Sequence, residues 1–224
     1  VFMSLSVVYT RAALGVKAPL ISVEVHLSNG LPGLTLVGLP ETTVKEARDR
    51  VRSAIINSGY TFPAKKITIN LAPADLPKEG GRYDLPIAIA LLAASEQLSS
   101  SRLSTYEFVG ELALTGALRG VPGAISGALA AIQAGREIIV ANDNAAEVSL
   151  IEQKGCLVAG HLQEVCAFLE GRHELAAPVQ EPFAIEKSDR DIRDIIGQEQ
   201  GKTGAGDHCG WRAQSAADWP PWYR

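Results

Sequence analysis

Residues 65–96 read KKITINLAPADLPKEGGRYDLPIAIALLAASE, a strand, a polar loop and an apolar helix in succession. Apolar and polar side chains alternate in residues 65–71, which predicts a strand with one face toward solvent. Residues 72–84 are rich in proline, glycine and charge, which predicts a loop. The apolar residues 85–96 predict a buried helix, with Asp84 as its cap and Pro86 in its first turn. This order introduces the alternation of strand and helix that decides the fold class.

The same alternation continues on both sides of this segment. Strict alternation predicts a strand over residues 21–28, and a second strand over residues 33–38 precedes a helix. Thr43 and Glu46 have the spacing of a capping box, so this helix is expected to begin there and to end near Ser58, before Gly59. The other predicted strands cover residues 107–114, 137–141 and 156–159, and the other helices cover residues 124–134, 145–153 and 162–170. Helices placed between strands imply crossover connections, hence an α/β (α+β) fold of two layers.

Composition and charge favour an ordinary globular protein. The chain has 224 residues, of which 46% are hydrophobic and 21% are charged, and its net charge is -4. This balance indicates no strong attraction to polyanions by the molecule as a whole. The longest apolar run, residues 85–94, is about half of the ~20 residues needed to span a bilayer. No signal peptide is apparent and the three cysteines form no CxxC pair, so we expect a cytoplasmic protein with reduced thiols and no membrane partner.

The chain changes character at Lys202. All three tryptophans lie in the last fourteen positions, in a stretch without helical or strand periodicity. Back-translation of this stretch, read one nucleotide out of frame, permits LEITAAGGHNLLLIGPPGTG, an apolar strand followed by the glycine-rich half of a phosphate-binding loop. We hypothesise a frameshift near Lys202, so that residues 203–224 are a disordered, frameshifted tail and the true reading enters an ATPase module. The alternative is a natural disordered C-terminus.

Several long blocks resemble one family in the correct order. They are MSLS at 3–6, GLPG at 30–33, VGLPETTVKEARDRVRSA at 37–54, INLAPADLPK at 69–78 and VGELALTG at 109–116. Residues 3–202 thereby resemble the N-terminal part of the ComM (YifB) family of magnesium-chelatase-like AAA+ ATPases. The resemblance implies a ChlI-like domain of the ribosomal protein S5 domain 2 type at residues 3–175, related to the Lon protease domain. A linker at 176–191 and the start of the AAA+ module at 192–202 would follow.

The resemblance also implies an activity for the intact protein. Its relatives are ring-forming DNA helicases, expected to be homo-hexamers, that promote branch migration during the uptake of transforming DNA. ATP and Mg²⁺ would bind the AAA+ module, and no cofactor is expected in this chain. In Lon-like enzymes a serine and a lysine form the catalytic dyad. Asp84 and Ser126 occupy the matching positions here, so peptidase activity is not expected and we assign no catalytic residue.

Two groups of residues are candidates for contact with DNA or a partner. The first is the loop Lys78, Glu79, Gly80, Gly81, Arg82 and Asp84, whose glycines permit close approach and whose cations could contact phosphates or a neighbouring subunit. Its alternative is a local network of ion pairs and capping contacts among Glu79, Arg82 and Asp84. The second group, the candidate DNA-contact residues, is Lys45, Arg48, Arg52, Lys65 and Lys66. Its alternative is a solvated helix face, since acidic residues interleave with these cations.

Two functions of different classes therefore remain open. The chain is either the non-catalytic N-terminal module of a DNA motor, which docks on the ring or contacts DNA, or a stand-alone, non-catalytic interaction domain. A magnesium-chelatase subunit and a Lon-like peptidase are less favoured alternatives. The three histidines of the body, His26, His161 and His173, show no metal-ligand spacing, so no metal site is predicted.

Overall fold

A mixed β-sheet runs through the molecule. The structure is a computed structural model that describes residues 4–38, 41–76, 80–151 and 154–179, with the side chains of residues 41–45 left out. These residues belong to one compact unit, Val1–Glu181. The predictions for residues 180–224, which include most of the linker, the AAA+ start and the tail, lie outside the described residues, and the domain boundaries stay predictions.

The described residues form nine strands and five α-helices. The strands are β1 (Ser4–Arg11), β2 (Leu20–Ser28), β3 (Gly33–Val37), β4 (Lys66–Ala72), β5 (Tyr106–Phe108), β6 (Glu111–Leu112), β7 (Leu118–Arg119), β8 (Glu137–Ala141) and β9 (Cys156–Ala159). The helices are α1 (Glu41–Asn57), α2 (Asp84–Ala94), α3 (Ala124–Gln133), α4 (Ala145–Val148) and α5 (Leu162–Leu169).

Seven of these strands form the main sheet in the order β3-β4-β2-β1-β5-β8-β9. The strand β2 is antiparallel to both β1 and β4, and the other four pairs are parallel. The parallel pairs need crossover connections, which the helices supply. The predicted α/β class is thereby confirmed. The short strands β6 and β7 form a separate hairpin.

Two hydrophobic clusters lie on opposite faces of the sheet. The larger joins α1, α2 and α5 to the inward residues of β2 and β4, and α2 is buried along its whole length. The smaller joins α3 and α4 to β8. Alternate residues of β8 divide between the two: Ile139 and Ala141 belong to the larger cluster, and Ile138 and Val140 to the smaller. This division follows from the alternation of side chains along a strand.

The strand β1 escaped prediction because its pattern is inverted. Its core-facing side chains include the hydroxyls of Ser6 and Thr10, whereas Leu5 is 65% exposed and Val7 37% exposed. Alternation of the usual kind would place the apolar residues inside. A search for one wet and one apolar face therefore finds no clear strand here.

The strand predicted over residues 107–114 is wrong in its extent. The chain leaves the main sheet after Phe108 and forms β6 of the hairpin instead. At Gly110 the backbone bonds to the loop before α2: its amide donates to the Arg82 carbonyl at 3.2 Å, and its carbonyl accepts from Leu85 N–H at 3.1 Å. These bonds replace those of a strand ladder, and apolar composition alone did not reveal the break.

Both predicted N-terminal caps also need correction. The helix α1 begins at Glu41, so Thr43 lies inside its first turn. In α2, Asp84 is the first helical residue and makes no capping bond; Tyr83 precedes it. The carboxylate of Asp84 instead accepts hydrogen bonds from Arg50 and from the Leu112 amide. The helix α4 ends at Val148 instead of 153. The predicted stop at Gly59 is confirmed, because this glycine has φ 81° at the end of α1.

Candidate functional site

A cavity of 430 Å³ lies between α1 and the starts of β3 and β4. We call it the cationic cavity. Arg48 and Arg52 reach it from α1, where a spacing of four places them on one helix face. Lys65, the residue just before β4, also lines the cavity. The apolar part of the lining includes Pro32, Leu34, Phe62, Pro63 and Ile67. The structure thus brings together three of the five predicted DNA-contact residues.

The cations of this cavity are exposed and lightly paired. Arg48 donates through Nε to the Asp49 carboxylate at 3.1 Å, with the two side chains 47% and 68% exposed. The guanidinium of Arg52 lies over the ring of Phe62, 5.0 Å from its centroid. Ion pairs at such exposed positions contribute little stabilising free energy, so Arg48 can exchange Asp49 for an anionic ligand at small cost.

The two remaining DNA-contact candidates do not line the cavity. Lys66 is exposed and follows Lys65 in the chain, so it projects from the opposite face of β4. The methylene chain of Lys66 passes close to Gly30. The side chain of Lys45 lies outside the described residues.

The predicted interaction loop differs from expectation. Arg82 is only 6% exposed and Asp84 only 1% exposed, so neither presents its charge at the surface. The guanidinium of Arg82 donates through Nη2 to the Pro122 carbonyl at 2.6 Å, and burial lowers its pKa. Gly81 lies directly against the side chain of Glu111, which a Cβ at this position would displace. Arg82 and Asp84 thus turn inward in the described residues, and contact of this loop with an outside partner stays a prediction. Lys78 and Glu79 lie outside the described residues.

The partner of Asp84 is Arg50, a pairing that the sequence does not predict. Arg50 donates through Nε to one oxygen of Asp84 at 2.6 Å and through Nη2 to the other at 3.2 Å. The amide of Leu112 donates to the first oxygen at 3.3 Å. Burial raises the pKa of Asp84 to about 6 even though Arg50 and this amide favour the charged form. Among the described residues, Asp84 is therefore paired with Arg50 and Arg82 with the Pro122 carbonyl. The alternative network of Glu79, Arg82 and Asp84 stays a prediction, because Glu79 lies outside the described residues.

Asp84 and Ser126, at the two positions that the resemblance matched to the Lon serine and lysine, lie in separate surroundings. Both carboxylate oxygens of Asp84 accept hydrogen bonds from Arg50. Ser126 is half-buried in α3 and lines a separate apolar cavity of 540 Å³ beside Leu14, Val16 and Leu129. Within the described residues, Asp84 is thus engaged with an arginine and a backbone amide, not with a lysine that could activate a nucleophile.

A second buried charge network was missed altogether. Glu107 is fully buried in β5 and accepts two bonds from Arg11, at 2.6 and 2.7 Å, and one from Arg136 at 3.3 Å. The guanidinium of Arg136 also lies over the ring of Tyr9, 4.4 Å from its centroid. A single glutamate inside the apolar run YEF was the available signal. The network joins β1, β5 and the segment before β8, so we interpret it as structural.

The described residues contain neither a cluster of metal-ligating side chains nor a membrane-spanning helix. Among residues 4–38, 41–76, 80–151 and 154–179, no three His, Cys, Asp or Glu side chains lie together as a metal site requires. No helix in this part of the chain has the length and apolarity to cross a membrane.

Comparison with known proteins assigns the chain to a family. The family model described as Subunit ChlI of Mg-chelatase matches residues 23–144, more than half of the chain. YifB of Salmonella typhimurium is 75% identical over 202 residues, and YifB of Escherichia coli K12 is 74% identical over 202 residues. The chain belongs to the ComM/YifB family. Competence protein ComM of Haemophilus influenzae is 57% identical over 205 residues.

These matches cover most of this chain but a minor part of each relative. The aligned residues make up 90% of this chain for the two YifB proteins and 89% for ComM, and 40% of each relative. The chain therefore spans about 40% of the length of these relatives. The cationic cavity lies largely within the residues matched by the Mg-chelatase model, which places it in the shared domain of this Mg-chelatase-like AAA+ family.

Proposed function

We propose that this chain is the N-terminal, non-catalytic module of an ATP-driven DNA motor that promotes branch migration in the recombination of transforming DNA. Its own task is to contact DNA. The observation that supports this most directly is the cationic cavity, in which Arg48, Arg52 and Lys65 converge. Exposed arginine and lysine side chains are the usual ligands of a phosphate backbone.

The relatives supply the wider setting of the proposal. One of them is named Competence protein ComM, and the chain spans about 40% of it. Within the intact protein, the AAA+ module would bind ATP and Mg²⁺ and assemble a cytoplasmic, hexameric ring. The present domain would then hold DNA beside that ring.

A stand-alone interaction domain is the second candidate, and one observation favours it. Leu14, Val16 and Leu129 are 43%, 91% and 42% exposed around the apolar cavity that Ser126 lines. Large exposed apolar side chains that lie together are typical of protein-binding surfaces. On this reading the chain would bind a protein and leave DNA unbound.

DNA binding by the full chain decides between the two candidates. Fluorescence anisotropy would measure binding of single-stranded, duplex and branched DNA over a series of salt concentrations. We expect affinity to fall linearly with the logarithm of salt concentration. Arg48→Ser and Lys65→Ser should each reduce the slope by about 0.7 on single strands, the value of one phosphate contact.

Matched variants remove the same charges elsewhere. Arg119 is 64% exposed on β7, and Lys17 is exposed on the turn between β1 and β2. Arg119→Ser and Lys17→Ser should leave the slope nearly unchanged. Equal effects of all four substitutions would show that charge alone matters and would remove the cavity from the proposal. If no DNA binds at low salt, the proposed DNA contact is wrong and the interaction domain is favoured.

A further inference from the structure

The cationic cavity has two kinds of lining, and only one of them suits a phosphate. Arg48, Arg52 and Lys65 supply charge, whereas Phe62 and Ile67 belong to an apolar part. Its 430 Å³ lies within the range of about 300–1,000 Å³ found for pockets that enclose small ligands. A surface that only tracks a phosphate backbone needs neither the concavity nor the apolar part.

We infer that the cationic cavity accepts one unpaired nucleotide of a single DNA strand, with its base inside and its flanking phosphates on the cations. This inference rests on the proposed function and adds the form of DNA recognised. In a duplex the bases are stacked inside a convex cylinder, so they cannot enter a concave site. The bases of a single strand can turn outward and be held against aromatic side chains or guanidinium planes.

The base has a platform in the pair Arg52 and Phe62. The guanidinium of Arg52 lies over the Phe62 ring, 5.0 Å from its centroid. A planar cation supported by an aromatic ring offers a flat face on which any base can stack. Arg52 is held by α1, and Phe62 lies in the short connection between α1 and β4. The regular element on the Arg52 side fixes the position of the guanidinium.

Asp49 gives the cavity a polarity that fits a nucleotide better than a bare phosphate. Its carboxylate is 68% exposed on the same lining, next to Arg48. A carboxylate repels a phosphate, but it accepts hydrogen bonds from the N–H groups on a base edge. The base edge therefore belongs on the Asp49 side, and the phosphates belong near Lys65 and the outer part of Arg48.

The test compares two strands that differ only in their bases. The full chain is titrated with a labelled oligothymidylate of about 15 nucleotides, within the usual site size of a single-strand-binding fold, and with an abasic strand of the same length. We expect the oligothymidylate to bind about 5- to 160-fold more tightly, the fold-change that corresponds to stacking of one base. The salt slopes of the two strands should be equal because their phosphates are equal.

One variant separates the platform from the charge. Arg52→Lys keeps the positive charge but removes the planar group, so it should abolish most of the preference for oligothymidylate and leave abasic binding unchanged. Phe62→Leu keeps an apolar side chain of similar size and should act in the same direction. Arg119→Lys, the matched substitution on β7, should change neither strand. Circular dichroism checks that each variant folds.

The outcomes distinguish this inference from the proposed function. Equal binding of the normal and abasic strands, or equally tight binding of duplex, would overturn the base site while the DNA contact stands. An absence of binding to every form of DNA would overturn both. Thymidine monophosphate is the competitor: if it binds as tightly as the strand, the ligand is a free nucleotide and the strand is excluded.

Discussion

At the residue scale, Asp84 shows how burial changes the role of a side chain. The sequence places it beside glycine and proline in a charged loop, which suggested a cap or a surface contact. The structure buries it at the start of α2 and pairs it with Arg50 from α1. Helix periodicity places Arg50 on a different face of α1 from Arg48 and Arg52, so the sequence could predict that Arg50 points inward. The sequence could not predict that Asp84 is the partner of Arg50, because the two residues are 34 positions apart.

The raised pKa of Asp84 predicts a dependence of stability on pH. Its pKa of about 6 exceeds the ordinary 3.8, so between these pH values the folded protein holds a proton that the unfolded chain releases. The stabilising contribution of this carboxyl is therefore complete below pH of about 4 and is lost as pH rises through 6. The side chain introduced by Asp84→Asn cannot titrate. The contributions of the other acidic groups to the unfolding free energy are the same in the wild type and in this variant, so they cancel in the difference between the two.

We expect the unfolding free energy of the wild type, minus that of Asp84→Asn, to decrease between pH of about 4 and 6. The slope should not exceed about 1.4 kcal/mol per pH unit, the value for one proton. Urea unfolding at several pH values measures this difference, and carbon-13 NMR of the Asp84 carboxyl gives the midpoint directly. A difference that grows with pH would show that Arg50 outweighs burial.

At the element scale, the pairing of β3 with β4 brings the two strand sides of the cationic cavity together. The i, i+4 spacing of Arg48 and Arg52 was enough to place them on one helix face. That Lys65 and Phe62 face the same helix could not be predicted, because it depends on the parallel pairing of β3 with β4. Pairing between distant strands leaves no periodic pattern in the sequence. Gly38, directly after β3, lies against β4: a Cβ there would be 2.7 Å from the Leu71 carbonyl oxygen.

We predict that Gly38→Ala destabilises the protein more than Gly59→Ala. Both glycines have positive φ, 95° and 81°, and each substitution should lose about 1–2 kcal/mol from that backbone conformation. At Gly59 no atom lies within 4 Å of the added Cβ, whereas at Gly38 it meets backbone that cannot move aside. The close contact should add about 1–3 kcal/mol. Urea unfolding measures both variants, and equal losses would mean that β3 and β4 separate freely at this point.

At the scale of the whole molecule, the two hydrophobic clusters share one sheet. Alternation in residues 21–28 and 65–71 was sufficient to predict strands with one buried face, and both are confirmed as β2 and β4. The position of β1 between β2 and β5 was not predictable, since its polar inward face hides it. The strand β8 contributes to both clusters, and the Glu107 network fastens β5 beside it. This sharing implies that neither cluster can open alone.

Two buried cysteines can test that coupling, because one lies in each cluster. Cys166 belongs to the larger cluster and Cys156 to the smaller. Burial raises the pKa of both thiols, to about 11 for Cys166, so neither should be alkylated readily in the folded protein. Pulsed alkylation in increasing urea, followed by mass spectrometry of each cysteine peptide, reports the opening of each cluster separately.

We expect both thiols to become reactive at the same urea concentration. Leu91→Ala in the larger cluster and Ile138→Ala in the smaller remove fully buried side chains, and each should cost about 2–5 kcal/mol. If the shared sheet couples the clusters, any one of these substitutions lowers the urea midpoint for alkylation of Cys156 by the same amount as that for Cys166. Exposure of Cys156 alone in Ile138→Ala would instead make α3, α4 and β9 a separately unfolding unit. The cationic cavity, built on α1 and β4, would then keep its geometry after that unit had opened.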